Sequence, residues 1–294
     1  MTGYLSRQNL QRNRNMKSNS RKDKKILFLD MDGTTLDDKK RISKENLEAL
    51  RRVTEAGHEV VITTGRTDSS AGYLRKSYGL DQIGCRYMIV YNGAAILDCE
   101  TGELLYSQKL PMEYVKDLID AARKEELYLH TYAGDKVLTE RRDENLSVYL
   151  KRTSMEAQVV PDLKQALKEQ PYKLLAVDVH NPDRLHAFLK NQSAWAKGKV
   201  DMYFSCREYL EMVAEGVNKG SALLRFCGLM DIPVRNTIAA GDECNDLSMI
   251  QAAGTGCAVA NAQEEVKAAA DCVTRNDNNH SAVAEIVEKF IFPS

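Results

Sequence analysis

Apolar residues in this chain gather into short runs of four or five, and several runs stop abruptly at carboxylates, hydroxyls or glycine. Ile26-Leu27-Phe28-Leu29 runs straight into Asp30-Met31-Asp32-Gly33-Thr34. A run of this length, bounded by turn residues, suits a strand covered on both faces. Glu59-Val60-Val61-Ile62-Thr63 repeats the pattern and ends in Thr64-Gly65-Arg66. Tyr87-Met88-Ile89-Val90 ends in Tyr91-Asn92-Gly93-Ala94, and Asn236-Thr237-Ile238-Ala239-Ala240 delivers Gly241-Asp242-Glu243-Cys244-Asn245-Asp246. Cys257-Ala258-Val259-Ala260 reads as a last core strand. Between these runs the period becomes helical. Leu47, Leu50 and Val53 mark a stripe behind Ile42 and Ser43, which read as staple and N-cap; Ala56 and then Gly57 end that helix. Helices are also predicted over 68–78, 264–270 and 281–290, and one opens at Glu215-Gly216-Val217-Asn218-Lys219-Gly220. Strand, helix and strand within about 40 residues make a βαβ unit, and hence a parallel sheet.

The texture changes in the middle of the chain. Asn92-Gly93, Ala95-Ile96-Leu97 and Thr101-Gly102 suggest a hairpin. A helix is predicted over 111–126 with Pro111 at its first position, followed by short strands and helices. Tyr172 to Val179 alternates partly, as a half-exposed strand would; Pro182 to Lys190 reads as helix. Val200 to Phe204 and Tyr209 to Val213 look like paired strands. Segregated strands and helices of this kind form an α+β insert of about 100 residues.

Composition narrows the class. A chain of 294 residues is long enough for one large or two modest domains, and 43% hydrophobic with 28% charged residues is ordinary for a globular protein. The net charge of −1 gives no global field for nucleic acid or a membrane surface. No run approaches a membrane span. Seven scattered cysteines without a C-x-x-C pair favour reduced thiols and a cytoplasmic setting. His180 and His186 are too far apart for one helix face and read as ordinary. Residues 1–25 carry eight Lys/Arg against Asp23, a local +7 that leaves −8 for the remainder. This tail has no apolar signal core and reads as a disordered, dispensable extension, with Met16 an alternative start. The sequence carries no signal for an oligomeric state.

The polar ends of the strands carry the chemistry. Asp30 and Asp32, two residues apart, share a strand face near its carboxyl end, where open α/β sheets bind ligands. Two acids held so close repel unless a cation joins them, and a hard divalent metal with oxygen ligands is the natural guest. Asp242, Glu243 and Asp246, with Asn245, crowd another strand-to-helix turn at the same cost. Lys219 at a helix N-terminus opposes the macrodipole, which is sensible where lysine and backbone N–H groups jointly meet a phosphate.

Asp30-Met31-Asp32-Gly33-Thr34, Thr64, Lys219 and Gly241-Asp242-x-x-Asn245-Asp246 stand in the order of the four motifs of the haloacid dehalogenase superfamily, which residues 26–294 resemble. The T-G-R and N-G-A pairing is similar to that of its Cof-like (subclass IIB) branch. The resemblance implies an α/β, Rossmann-like parallel-sheet core over 26–108 and 215–294, with an inserted α+β cap over 109–214 that sets substrate specificity. It implies a Mg²⁺-dependent phosphatase of small sugar phosphates or phosphorylated cofactors, acting through an aspartyl-phosphate. Asp30 would be nucleophile and Asp32 general acid/base; Asp30, Asp32 through its backbone carbonyl, and Asp242 would hold Mg²⁺. Asp246 would anchor the metal shell or Lys219. Thr64, with Gly65, Lys219 and Asn245 would hold the phosphate. Polar candidates for facing the substrate from the cap are His130, Tyr132 and Arg141. Thr35 and His280 depart from the family's pattern and are expected to stay clear of the chemistry. A phosphomutase with the same core, which returns the phosphoryl group to sugar, and a non-catalytic phosphometabolite sensor are the alternatives. A transport ATPase would need membrane helices.

Overall fold

The computed structural model describes residues 24–153 and 155–293; the basic tail, apart from Lys24 and Lys25, lies outside the described residues. Chain order already separates two groups of strands. First come β1 (Ile26–Leu29), β2 (Glu59–Thr63), β3 (Tyr87–Val90), β4 (Ala95–Asp98) and β5 (Glu103–Ser107). A second group follows: β6 (Tyr128–Ala133), β7 (Lys136–Thr139), β8 (Glu156–Val159), β9 (Lys173–Val177), β10 (Val200–Cys206) and β11 (Tyr209–Ala214). β12 (Thr237–Gly241), β13 (Thr255–Ala258) and β14 (Cys272–Val273) then return to the first sheet, whose order is β14-β13-β12-β1-β2-β3-β4-β5. From β14 to β3 its strands run parallel, and β4 and β5 add an antiparallel edge. The second sheet, β10-β11-β9-β6-β7-β8, is antiparallel except where β7 pairs with β8.

β1 is buried along its whole length because both its faces are covered. Ile26 and Phe28 face the helix Lys219–Met230, where Phe28 meets Phe226 edge-on at 5.7 Å. Leu27 and Leu29 face the other layer, with Leu50 and Val53 of the helix Lys44–Glu55 and Val283 and Ile286 of Ala282–Phe290. Helices on both faces of a parallel sheet make the Rossmann-like α/β fold. The first helix is bounded as its sequence predicts: the Ser43 hydroxyl accepts from the Asn46 N–H at 3.1 Å, and Gly57 turns the chain at φ +83°.

β1 pairs Leu29 with Ile62 of β2 and with Ala240 of β12. The chain leaves β1 toward β2 and β3 on one side and later fills β12 to β14 on the other. The crevice between the carboxyl ends of β1 and β12 is thus the switch point of the sheet.

Several expectations are corrected. Lys173–Val177 is not half-exposed; it has neighbours on both edges and all five residues are buried. The middle helix begins at Met112, with Pro111 as its cap rather than its first residue, and ends at Lys124. The helix expected to stop at Lys190 continues to Ala196, because Ala196 buries itself beyond a polar stretch. The strand at 257–260 is not the last, since β14 adds a further parallel strand at that edge.

Candidate active site

The carboxyl ends of β1, β2 and β12 lie side by side, so the residues that follow them meet. The Asp30 N–H donates to the Ala240 carbonyl at 3.0 Å, which extends the β1–β12 pairing one residue and sets Asp30 beside Gly241-Asp242. Asp30, Asp242 and Asp246 each offer an oxygen within 4.8 Å of the others, and all three are buried. Lys219, the first residue of its helix, reaches between them: its Nζ donates to Asp30 Oδ1 at 2.6 Å and also to Asp246 Oδ1. Asn218 and Ser221 form a capping box that fixes this helix start.

One ammonium does not balance three buried carboxylates. Burial pushes the Asp30 carboxyl up to about 7; Lys219 opposes the rise, while Asp246 and Asp32 add to it. Asp242 is raised well above the usual carboxylate range, first by burial and then by Asp30 and Asp246, although the Thr34 hydroxyl donates to its Oδ1 at 2.7 Å. Lys219 is held above its ordinary value: burial favours losing its proton, and Asp246 and Asp30 outweigh that. Asp246 also accepts the Asp242 and Glu243 N–H groups on Oδ2, at 3.0 and 3.1 Å, so its carboxylate ties the loop to Lys219.

Asp32 sits apart from this cluster. Its oxygens take a fork from Arg66, Nε to Oδ2 at 2.7 Å and Nη2 to Oδ1 at 2.8 Å, and Lys40 Nζ adds a bond at 2.7 Å. Burial alone would raise its pKa, but the Arg66 hydrogen bonds and charge, with Lys40, hold it down at about 2.

Thr64 follows β2 with its hydroxyl 3.2 Å from the Arg66 N–H that donates to it. The Gly65 carbonyl accepts Lys173 Nζ, at 2.8 Å, from β9 of the other sheet. Asn245 Nδ2 donates to Asn92 Oδ1 at 3.0 Å. Asp30, Asp32, Thr64, Gly65, Asp242 and Asn245 all line one cleft of about 390 Å³ between the two sheets. Lys219 and Asp246 are buried beside it, Lys219 bonded to the cleft-lining Asp30.

The roof of the cleft differs from the expectation. His130, Tyr132 and Arg141 do not line it: His130 is fully enclosed under Tyr128 and Tyr149, and Arg141 pairs with Asp143 on another face. Tyr149, Arg152, Lys173, Ser205, Tyr209 and Glu211 supply the roof instead. Lys173 is buried because Glu211 Oε2 accepts from it at 2.8 Å, and Ser205 donates to the other oxygen at 2.8 Å. Thr35 is a second correction: its hydroxyl donates to the Asp30 carbonyl at 2.6 Å, so it does touch the backbone of the central carboxylate. His280 stays outside, paired with Asp277. Sequence reasoning missed Arg66, Lys40 and Asn92 as site residues. Arg66 and Asn92 stood within segments already singled out, at the tips of β2 and β3, and their position at strand ends was the available signal.

A Rossmann-like α/β enzyme with carboxylates at its switch point is the class that fold and site define. The sequence profile of the haloacid dehalogenase-like hydrolases matches residues 27–287. Over 280 residues the chain is 30% identical to the phosphatase YwpJ of Bacillus subtilis, covering 87% of this chain and 96% of that one. Over 275 residues it is 26% identical to the pyridoxal phosphate phosphatase YbhA of Escherichia coli, covering 90% and 97%. The crystal structure of a haloacid dehalogenase-like hydrolase from Bacteroides thetaiotaomicron matches with a TM-score of 0.81 at 32% identity, covering 90% and 99%. The chain belongs to the haloacid dehalogenase-like hydrolases. Among the described residues no helix is long and apolar enough to cross a membrane.

Proposed function

We propose that this hydrolase is a Mg²⁺-dependent phosphatase of small phosphorylated metabolites that works through an aspartyl-phosphate on Asp30, with Asp32 as general acid and base. The observation that carries this reading is the setting of Asp30. It is a buried carboxylate at the open end of the central strand, paired with Lys219 and facing a cleft with room for a small ester.

A hard divalent cation fits the donor set. All the donors are oxygen, the carboxylates crowd within 4.8 Å, and the raised pKa values of Asp30 and Asp242 report charge that Lys219 leaves uncompensated. Asp30, the backbone carbonyl of Asp32 and the Asp242 side chain would hold it. Bound there, Mg²⁺ offsets the repulsion between a carboxylate and a phosphate dianion.

An Asp30 oxygen attacks phosphorus as the bond to the leaving alkoxide breaks, and Asp32 gives that alkoxide its proton. Water then attacks the aspartyl-phosphate, Asp32 takes the water's proton, and the bond to Asp30 breaks to free inorganic phosphate. Thr64, Lys219 and Asn245 steady the transferring oxygens. Arg66 and Lys40 keep Asp32 ionised in the absence of substrate, which suits the base step. An arriving dianion competes for the same two cations and releases Asp32 to carry a proton for the acid step. Residues 26–108 and 215–294 thus carry the chemistry, and 109–214 the choice of substrate. The pyridoxal phosphate named for YbhA and the size of the cleft support a small phosphorylated metabolite. Seven unpaired cysteines support a reducing, cytoplasmic setting.

A screen of phosphorylated metabolites with Mg²⁺ tests the reading. Asp30→Asn should abolish turnover of whichever ester the wild type hydrolyses, because an amide cannot attack phosphorus. Wild-type turnover in that variant would remove Asp30 as nucleophile.

A further inference from the structure

We propose that Asn92 is a positioning residue of the phosphate grip, acting through Asn245; the inference rests on the phosphatase reading above. Asn92 is itself buried and does not line the cleft, whereas Asn245 does. An asparagine amide carries two N–H donors on one nitrogen. Asn92 Oδ1 accepts one of them from Asn245 at 3.0 Å. That bond fixes the plane of the Asn245 amide and leaves its second N–H to serve the cleft. Without it the Asn245 side chain is free to rotate, and the donor loses its aim.

The surroundings hold Asn92 in place from three directions. Its backbone N–H donates to the Thr64 carbonyl at 3.1 Å, and the preceding Tyr91 N–H donates to Arg66 at 2.9 Å, so the loop after β3 is bound to the loop after β2. Its side chain lies against Gly65, where a Cβ would stand 2.7 Å from Oδ1 and 3.2 Å from Nδ2. Its neighbour Gly93, at φ +105°, lets the chain pass so close to the start of the Lys219 helix that a Cβ would stand 2.3 Å from the Asn218 carbonyl. Asn92 therefore joins the segments bearing Thr64, Lys219 and Asn245. Its own backbone is left-handed, φ 58° and ψ 29°, a conformation asparagine tolerates better than most residues. Asn92 Nδ2 has no partner among the described residues. The bond from Asn245 is thus the hydrogen bond that satisfies this buried amide, at its oxygen.

A double-mutant cycle tests this, using p-nitrophenyl phosphate with Mg²⁺ for turnover and inorganic phosphate as a competitive inhibitor. Asn92→Gly keeps the left-handed backbone and removes the amide. It should raise the phosphate inhibition constant about tenfold and lower kcat/KM by roughly 10- to 100-fold, as Asn245→Ala should. The double variant should be no worse than Asn245→Ala alone, because the two residues act as one unit. Melting temperatures establish that the variants are folded. If the glycine variant is not, Asn92→Ser removes the amide and leaves only a short hydroxyl, at a conformation this chain already assigns to a serine, Ser281 at φ 67°. Unchanged inhibition by phosphate in Asn92→Gly, or losses that multiply in the double variant, would overturn the inference while leaving the phosphatase reading intact. A wild type that neither hydrolyses phosphate esters nor binds phosphate by calorimetry would overturn both.

Discussion

Removing the charge of Asp30 should stabilise the metal-free protein more and more as pH rises. The Asp30 carboxyl titrates near 7 in the folded protein, against 3.8 for an ordinary aspartate. A group whose folded pKa is raised contributes stability that is fully present below the unfolded pKa and is lost as pH climbs through the folded one. The window here runs from about 4 to about 7. Between about pH 5.5 and the folded pKa lie about 1.5 pH units at about 1.36 kcal/mol each, so wild type should lose about 2 kcal/mol through this residue. Asp30→Asn cannot, and because the Asp30 charge also raises Asp242, its removal relieves part of that rise as well and acts in the same direction. Urea unfolding in EDTA at about pH 5.5 and pH 8.5 should therefore show the variant gaining about 2 kcal/mol on wild type at the higher pH. Mg²⁺ should reverse the gain, since a cation at 100 times its Kd stabilises the intact site by about 2.7 kcal/mol. A difference between the two proteins that stays flat with pH would refute the argument that burial leaves this carboxylate uncompensated.

Arg66→Met should let the Asp32 pKa rise from about 2, since burial then acts with only Lys40 against it; the acid limb of kcat/KM should move up by about one pH unit or more. In wild type the stability from that pairing is present above about pH 4 and lost as pH falls through about 2, a loss the variant should not show in acid unfolding. Asp242→Asn should weaken metal binding, so a Mg²⁺ titration of activity should recover part of the rate; no recovery at saturation would assign Asp242 another role. Gly93→Ala puts a Cβ 2.3 Å from the Asn218 carbonyl at a positive φ, and should cost about 2 kcal/mol or more in chemical denaturation. An unchanged midpoint would show that the helix start can yield there.

Arg66 and Lys173 show where reading the sequence stops. Arg66 follows a strand that the apolar pattern finds easily, yet its purpose is set by Asp32, 34 residues away. Lys173 made its strand look half-exposed, because a charged residue is normally a sign of solvent. Only Glu211, diagonal to it on the neighbouring strand β11, turns that position into a buried ion pair. The Asn92–Asn245 bond spans 153 residues, and no local pattern announces it.

What the sequence determined by itself was the local grammar: apolar runs too short for anything but strands, helices capped by Ser43 and stopped by Gly57, and carboxylates placed immediately after β1 and β12. Each of these depends on neighbours within a few residues, where steric and hydrophobic periodicities act. The tertiary structure decided which strand ends stand together, and so which charges share one cleft. Strand order brought Asp30 beside Asp242, folded Lys219 between two carboxylates, gave Asp32 to Arg66 and replaced the expected roof residues with Tyr149, Arg152 and Glu211. The reason is physical: pKa values, ion pairs and cleft walls are set by distances through space, and in a parallel sheet residues adjacent in space are separated by at least a whole crossover of chain.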